Sequence, residues 1–150
     1  MMKSLYQWGT GSMPTFELWD KRAAGRARTP TITVQRKGIL SLNAGAAHLI
    51  AGDDEVHEEL GVEILFDPRE RIIALRRAKE EHTSVYTMRK QKQSNSYLLS
   101  IRAFTIYHKI DTTTSRRYVA HDYGNGAIGI ALNESFSEVS RDDSGNEVEE

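Results

Sequence analysis

Between Pro30 and Asn133 the chain is cut into segments too short for anything but single strands and helices of two turns or so, and the order of those segments recurs. TITVQRK alternates, with Ile32 and Val34 on one face and Thr33 and Gln35 on the other, as a half-buried strand does. Lys37-Gly38 supplies a turn, because glycine accepts positive φ without steric penalty. ILSL reads as a second strand. Asn43 stands where an N-cap belongs, ahead of AGAAHLIA, and Leu42, Ala46, Leu49 and Ile50 mark one face of a short helix that Gly52 ends. After an acidic loop (Asp53, Asp54, Glu55, Glu58, Glu59), VEILFD and RIIALRR form a hairpin around Asp67-Pro68-Arg69-Glu70.

The same order returns downstream. SVYTMRKQ is a strand, QSNS a turn, YLLSI a strand and RAFTIYHKI a short helix, and RRYVAHD and AIGIAL make a last hairpin around Tyr123-Gly124-Asn125-Gly126. ILSLNA (39–44) laid over LLSIRA (98–103) matches Leu40 to Leu99, Ser41 to Ser100 and Ala44 to Ala103. One unit of this size buries too little surface to be stable alone, so two copies would share a core. The expectation is a β-rich α+β fold of two ββαββ units, 30–80 and 83–133. A basic N-terminal arm, 1–29, precedes them, and a disordered acidic tail, 134–150, follows.

Charge divides the chain unevenly. From Glu134 onward there are seven acidic residues against Arg141 alone, which leaves 19 basic and 14 acidic residues in 1–133. A mildly basic body suits a polyanion, and an acidic tail suits solvent or a protein partner. The arm places Lys21, Arg22, Arg26 and Arg28 within eight residues around Gly25, a composition for lying along phosphates without a fixed fold. TFELWD within it reads as a short strand. There is no cysteine, which removes disulfides, thiol nucleophiles and thiolate zinc sites. Every apolar run falls far short of the roughly 20 residues of a membrane span, and MMKSLYQWGTGSMP has no continuous apolar stretch of a secretory signal. A cytoplasmic protein with no membrane contact is expected.

The segments TVQRKGILSLNAGAAHLIAG (33–52) and VEILFDPRERIIALRR (62–77), with YTMRKQ through AIGIAL as a second copy, resemble the AbrB-like, or swapped-hairpin, domains. In that family two such units interleave into a compact β-rich dimer that binds DNA. The resemblance implies that this chain carries both halves as a pseudo-dimer. By position it points to Arg36 and Lys37 in the first unit, and Arg89, Lys90 and Lys92 in the second, as DNA contacts. The sequence departs from the family at Ile39, where a basic residue often follows the turn glycine, and at Asn43, where proline is favoured.

Other constellations carry less. Gly124-Asn125-Gly126-Ala127-Ile128-Gly129 satisfies G-x-G-x-x-G, but a strand follows it rather than the helix that phosphate binding needs, and Asn-Gly is a preferred hairpin turn. His57-Glu58-Glu59-Leu60-Gly61 lacks the second histidine of a helical zinc site, and the acids of 53–59 lack the spaced loop of an EF-hand. No nucleophile has a base and an orienting acid at a recognisable spacing. Arg76, Arg77 and Lys79, with Tyr86 and Tyr97 nearby, add cations beside aromatics. The expected function is therefore non-enzymatic DNA binding, as a transcription regulator or antitoxin-like repressor. The alternative is a protein-interaction module or inhibitor, such as a mobile-element accessory protein, acting through the acidic loop and tail. Expected partners are double-stranded DNA, a protein at the tail and a second copy in a homodimer, with no cofactor and no metal.

Overall fold

The computed structural model describes residues 14–18, 29–52, 58–141 and 147–149. The elements run β1 (Thr31–Gln35), β2 (Ile39–Leu42), α1 (Ala44–Ala51), β3 (Glu59–Asp67), β4 (Ile72–Arg77), β5 (Tyr86–Lys90), β6 (Tyr97–Ser100), α2 (Arg102–Tyr107), β7 (Ser115–Val119), β8 (His121–Asp122), β9 (Ile128–Ala131), β10 (Phe136–Arg141) and β11 (Glu147–Glu149). Residues 14–18, part of the TFELWD segment, form no strand.

The eleven strands among the described residues belong to one antiparallel sheet, in the order β11-β10-β7-β1-β2-β6-β5-β3-β4-β9-β8. β8 follows β7 after Ala120 alone, whose N–H donates to the Pro30 carbonyl at 2.9 Å. The ladder that leaves through β1 therefore comes back to the same stretch of chain through β9, and the sheet curls until it closes. β10 takes the other edge of β7, pairing Phe136 with Tyr118 and Val139 with Ser115, and β11 pairs with β10.

This arrangement corrects the expected α+β fold of two ββαββ units. Strands from the two halves alternate: β1 pairs with β7, β2 with β6, β3 with β5 and β4 with β9. The two helices among the described residues have only eight and six residues. The protein is mostly β, one sheet rather than two sheet-and-helix units. Alternation along a strand does not tell which strand lies beside it, so the strands stand where they were read and the architecture does not. The reading of faces holds for Ile32 and Val34 but not for Thr33 and Gln35, which are buried too. Within the acidic tail, 136–141 and 147–149 are the strands β10 and β11. The rings of Tyr118 and Phe136 meet at a tilt with centres 5.4 Å apart, an apolar contact that anchors β10.

The core lies inside the curl. Ile32, Leu40, Leu42, Ile73, Leu75, Met88, Leu99, Ile128 and Ile130 are almost wholly buried. Gly129 sits where a Cβ would collide with the Ile73 carbonyl and the Ala74 backbone, so the last glycine of the G-x-G-x-x-G string serves the close approach of β9 to β4. Its first part is the β8–β9 turn, closed by Tyr123 N–H to the Ala127 carbonyl at 2.8 Å. α1 plugs one opening of the curl through Ala46, Ala47 and Ile50. Asn43 caps it: its Oδ1 accepts from Ala46 N at 3.0 Å and from Thr31 N at 3.1 Å, and its Nδ2 donates to the Thr29 carbonyl.

Candidate nucleic-acid interface

The β1–β2 turn is the best-anchored basic feature of the molecule. β1 ends at Gln35, so Arg36 and Lys37 stand in the turn itself rather than on a strand, and both are exposed. Lys37 and Gly38 both take positive φ, 67° and 74°. Gly38 is buried against the start of α2: a Cβ there would lie 2.7 Å from Arg102 Cα and 2.7 Å from Thr105 Oγ1. Its carbonyl accepts from Ile101 N at 2.8 Å, and Arg36 N donates to Ser115 Oγ at 3.3 Å. The turn is thus held on both sides, and it sets Arg36 and Lys37 beside Arg102, which is exposed on α2. No ion pair with an acid engages these three side chains among the described residues.

Two more cations border the turn through β7, where Arg116 pairs with Val34 and Arg117 with Thr33. Arg116 is committed to the fold. Its Nη2 donates to Asp111 Oδ2 at 3.0 Å and its guanidinium lies 4.7 Å from the centre of the Phe136 ring. Asp111 is held below the ordinary aspartate range, first by its hydrogen bonds from Thr113 and then by Arg116, so it stays ionised beside that arginine. Arg117 Nε reaches Thr33 Oγ1 at 3.4 Å.

The other expected contacts lie elsewhere. In the β2–β6 ladder Ile39 pairs with Ser100 and Leu42 with Tyr97, so the β1–β2 and β5–β6 turns stand at opposite ends. The ladder alone separates them by roughly 10 Å at about 3.3 Å per residue. Lys92 is exposed in the β5–β6 turn. Arg89 points outward, since its neighbour Met88 is in the core, and its Nε donates to Glu59 Oε1 at 3.1 Å, a partner set opposite it by the β3–β5 register. Lys90 follows the Met88 side at the strand end and is exposed. Arg36 and Lys37 are therefore one group and Arg89, Lys90 and Lys92 another. Lys21, Arg22, Arg26 and Arg28 lie outside the described residues, as do Asp53, Asp54, Glu55 and His57 of the acidic loop. Arg102 has no distinctive sequence signal; only the docking of Gly38 on α2 brings it to the turn.

Arg76, Arg77 and Lys79 line a separate cleft below the end of α1, with Ile50, Glu63 and His82. Here the two arginines are engaged internally. Arg76 donates Nε and Nη2 to Glu63 Oε1 at 3.1 and 3.0 Å, His82 Nε2 meets Glu63 Oε2 at 2.8 Å, and Arg77 Nη1 donates to the Ala51 carbonyl at 3.2 Å. Hydrogen bonds from His82 and then Arg76 hold the Glu63 carboxyl below the ordinary glutamate range. Among the described residues no three His, Asp or Glu side chains converge on a point that could hold a metal, and no helix is long and apolar enough to cross a membrane. No family model matches the chain, nor does any curated protein or solved structure.

Proposed function

We propose that the protein binds double-stranded DNA by phosphate contact, with Arg36, Lys37 and Arg102 as the cations that meet the backbone. The observation that carries this reading is the anchored β1–β2 turn: three exposed cations without acidic partners among the described residues, on a backbone that buried Gly38 locks to α2. Cations fixed before the encounter lose less side-chain and loop entropy on binding than a mobile run does. Arg89 contributes less, because Glu59 already neutralises it.

Fluorescence anisotropy with a labelled mixed-sequence duplex at several salt concentrations tests the reading. Affinity is expected to fall steeply with salt, and replacing Arg36, Lys37 and Arg102 together is expected to flatten the slope by about two to three units, roughly one per lost phosphate contact. Arg89→Ala is expected to change the slope by less than half a unit, on the order of what a screened surface pair allows. No binding at low salt would reject DNA and favour a protein partner.

A further inference from the structure

α2 turns Phe104 toward the core but leaves its last two apolar side chains outside. Of its six residues only Thr105 is buried, while Ile106 is 65% and Tyr107 80% exposed. On a helix, residues three and four apart are neighbours, so Arg102 stands above Ile106 and Ala103 above Tyr107 on one outward face. Gly38 docks the Arg36–Lys37 turn at the first residue of this face. Lys109, exposed and with φ of 54°, follows its last. The helix is fixed from below: Phe66 meets Phe104 at 5.2 Å and His108 at 4.4 Å between ring centres, and Arg71 Nη1 donates to the His108 carbonyl at 3.1 Å. At the 1.5 Å rise per residue of a helix, Tyr107 stands only about 7.5 Å along the axis from Arg102.

An aromatic ring and a branched aliphatic side chain, exposed on an anchored helix between cations, match the chemistry of a nucleobase beside its phosphates. Two side chains make far too small an apolar area for a protein interface, which needs on the order of 800 Å² from each partner. The face of one base needs no more than a tyrosine ring. Asp111, four residues beyond Tyr107, is paired with Arg116 Nη2 at 3.0 Å.

Resting on the DNA reading above, we infer that α2 is the base-contacting element of the same site. Tyr107 stacks on a base that is unpaired or unstacked, Ile106 packs at its edge, and Arg36, Lys37 and Arg102 hold the adjoining phosphates. The preferred ligand is DNA with accessible bases, a single strand or a duplex with a mismatched bubble, over a perfect duplex.

Anisotropy titrations of the full chain against a perfect duplex, the same duplex with a central bubble and the single strand distinguish the outcomes. The bubble and the strand are expected to bind about 10-fold more tightly than the duplex, and Tyr107→Ala is expected to remove that preference, since stacking one base on an aromatic side chain contributes about this much. Tyr107→Phe is expected to keep the preference. The salt slope is expected to be the same in both variants, because neither touches a phosphate cation. Circular dichroism should show both variants folded, Tyr107 being largely in solvent. Equal affinity for bubble and duplex, or an unchanged preference in Tyr107→Ala, would overturn the base contact while leaving the phosphate reading standing if the Arg36, Lys37 and Arg102 replacement still flattens the slope. Failure of the wild-type protein to bind any of the three DNAs would overturn both.

Discussion

The two helices among the described residues do opposite jobs with similar lengths of chain. α1 is capped by Asn43, is rich in alanine, and turns Gly45, Ala46, Ala47, Ile50 and Ala51 into the fold; Leu49 is its one exposed large apolar residue. α2 begins at Ile101 with no side-chain cap, buries Thr105 alone and shows Ile106 and Tyr107 to solvent. Small side chains let a helix sit down into the mouth of a curled sheet, while large ones on a short helix keep it on the rim. A helix that gains little from burial must be held by its ends, and α2 is: the Gly38 carbonyl bonds to Ile101 N, and Arg71 caps the His108 carbonyl.

The largest effect that would break this comparison comes from a charge placed on each helix. Ala46→Asp puts a carboxylate in the wholly buried side of α1, which costs several kcal/mol, on the order of the whole stability of a domain, so thermal melts should show no cooperative transition. Ala103→Asp, on the exposed face of α2, is expected to cost no more than about 0.5 kcal/mol. Equal damage from the two would mean that the outward face of α2 packs on something as well. Next comes the anchor of α2. Gly38→Ala meets both a positive φ and a clash with Arg102 Cα and Thr105 Oγ1, and chemical denaturation should show a loss of about 1–3 kcal/mol. Asn43→Ala removes the cap of α1 and its link to Thr31, with an expected loss of about 1–2 kcal/mol in the same assay.

The smallest effect concerns the cleft below α1. Glu63 has its folded carboxyl depressed by His82 and Arg76, so the stability it contributes is present above the ordinary glutamate range. That stability is lost as the pH falls through the depressed value. Melting temperatures of wild type and Glu63→Gln should differ at neutral pH and converge in acid. A difference that grew in acid would contradict the sign.

Much of the local structure was legible. The strands TITVQ and ILSL, the Asn43 cap, the Gly52 stop and the Asn-Gly turn each belong to a few adjacent residues, and each appears where those residues put it. β10 was not legible, because Glu134, Glu138 and Arg141 make the segment read as solvated; its Phe136 and Val139 become informative only beside Tyr118 and Ser115. Thr33 and Gln35, on the face that alternation assigns to water, are buried at 2% and 3%. The division of the basic residues was hidden for the same reason. Glu59 is 30 residues from the Arg89 it neutralises, and Arg102 is 64 residues from the Gly38 that brings it to the turn. Pairing and docking are tertiary facts, and spacing along the chain carries no trace of them.

Closure of the sheet also has a consequence for how this chain is made. β1 is among the first described elements to leave a ribosome, yet its outer edge is completed only by β7, and β4 waits for β9, which ends at Ala131. Ladders joining such distant segments form slowly, because the loop entropy must be spent before the contacts reward it. Until residue 131 is out, the nascent chain displays two unmatched strand edges and an uncovered row of Ile, Leu and Val. This is the interval in which a holdase would matter most and in which two nascent copies on one message could pair with each other instead.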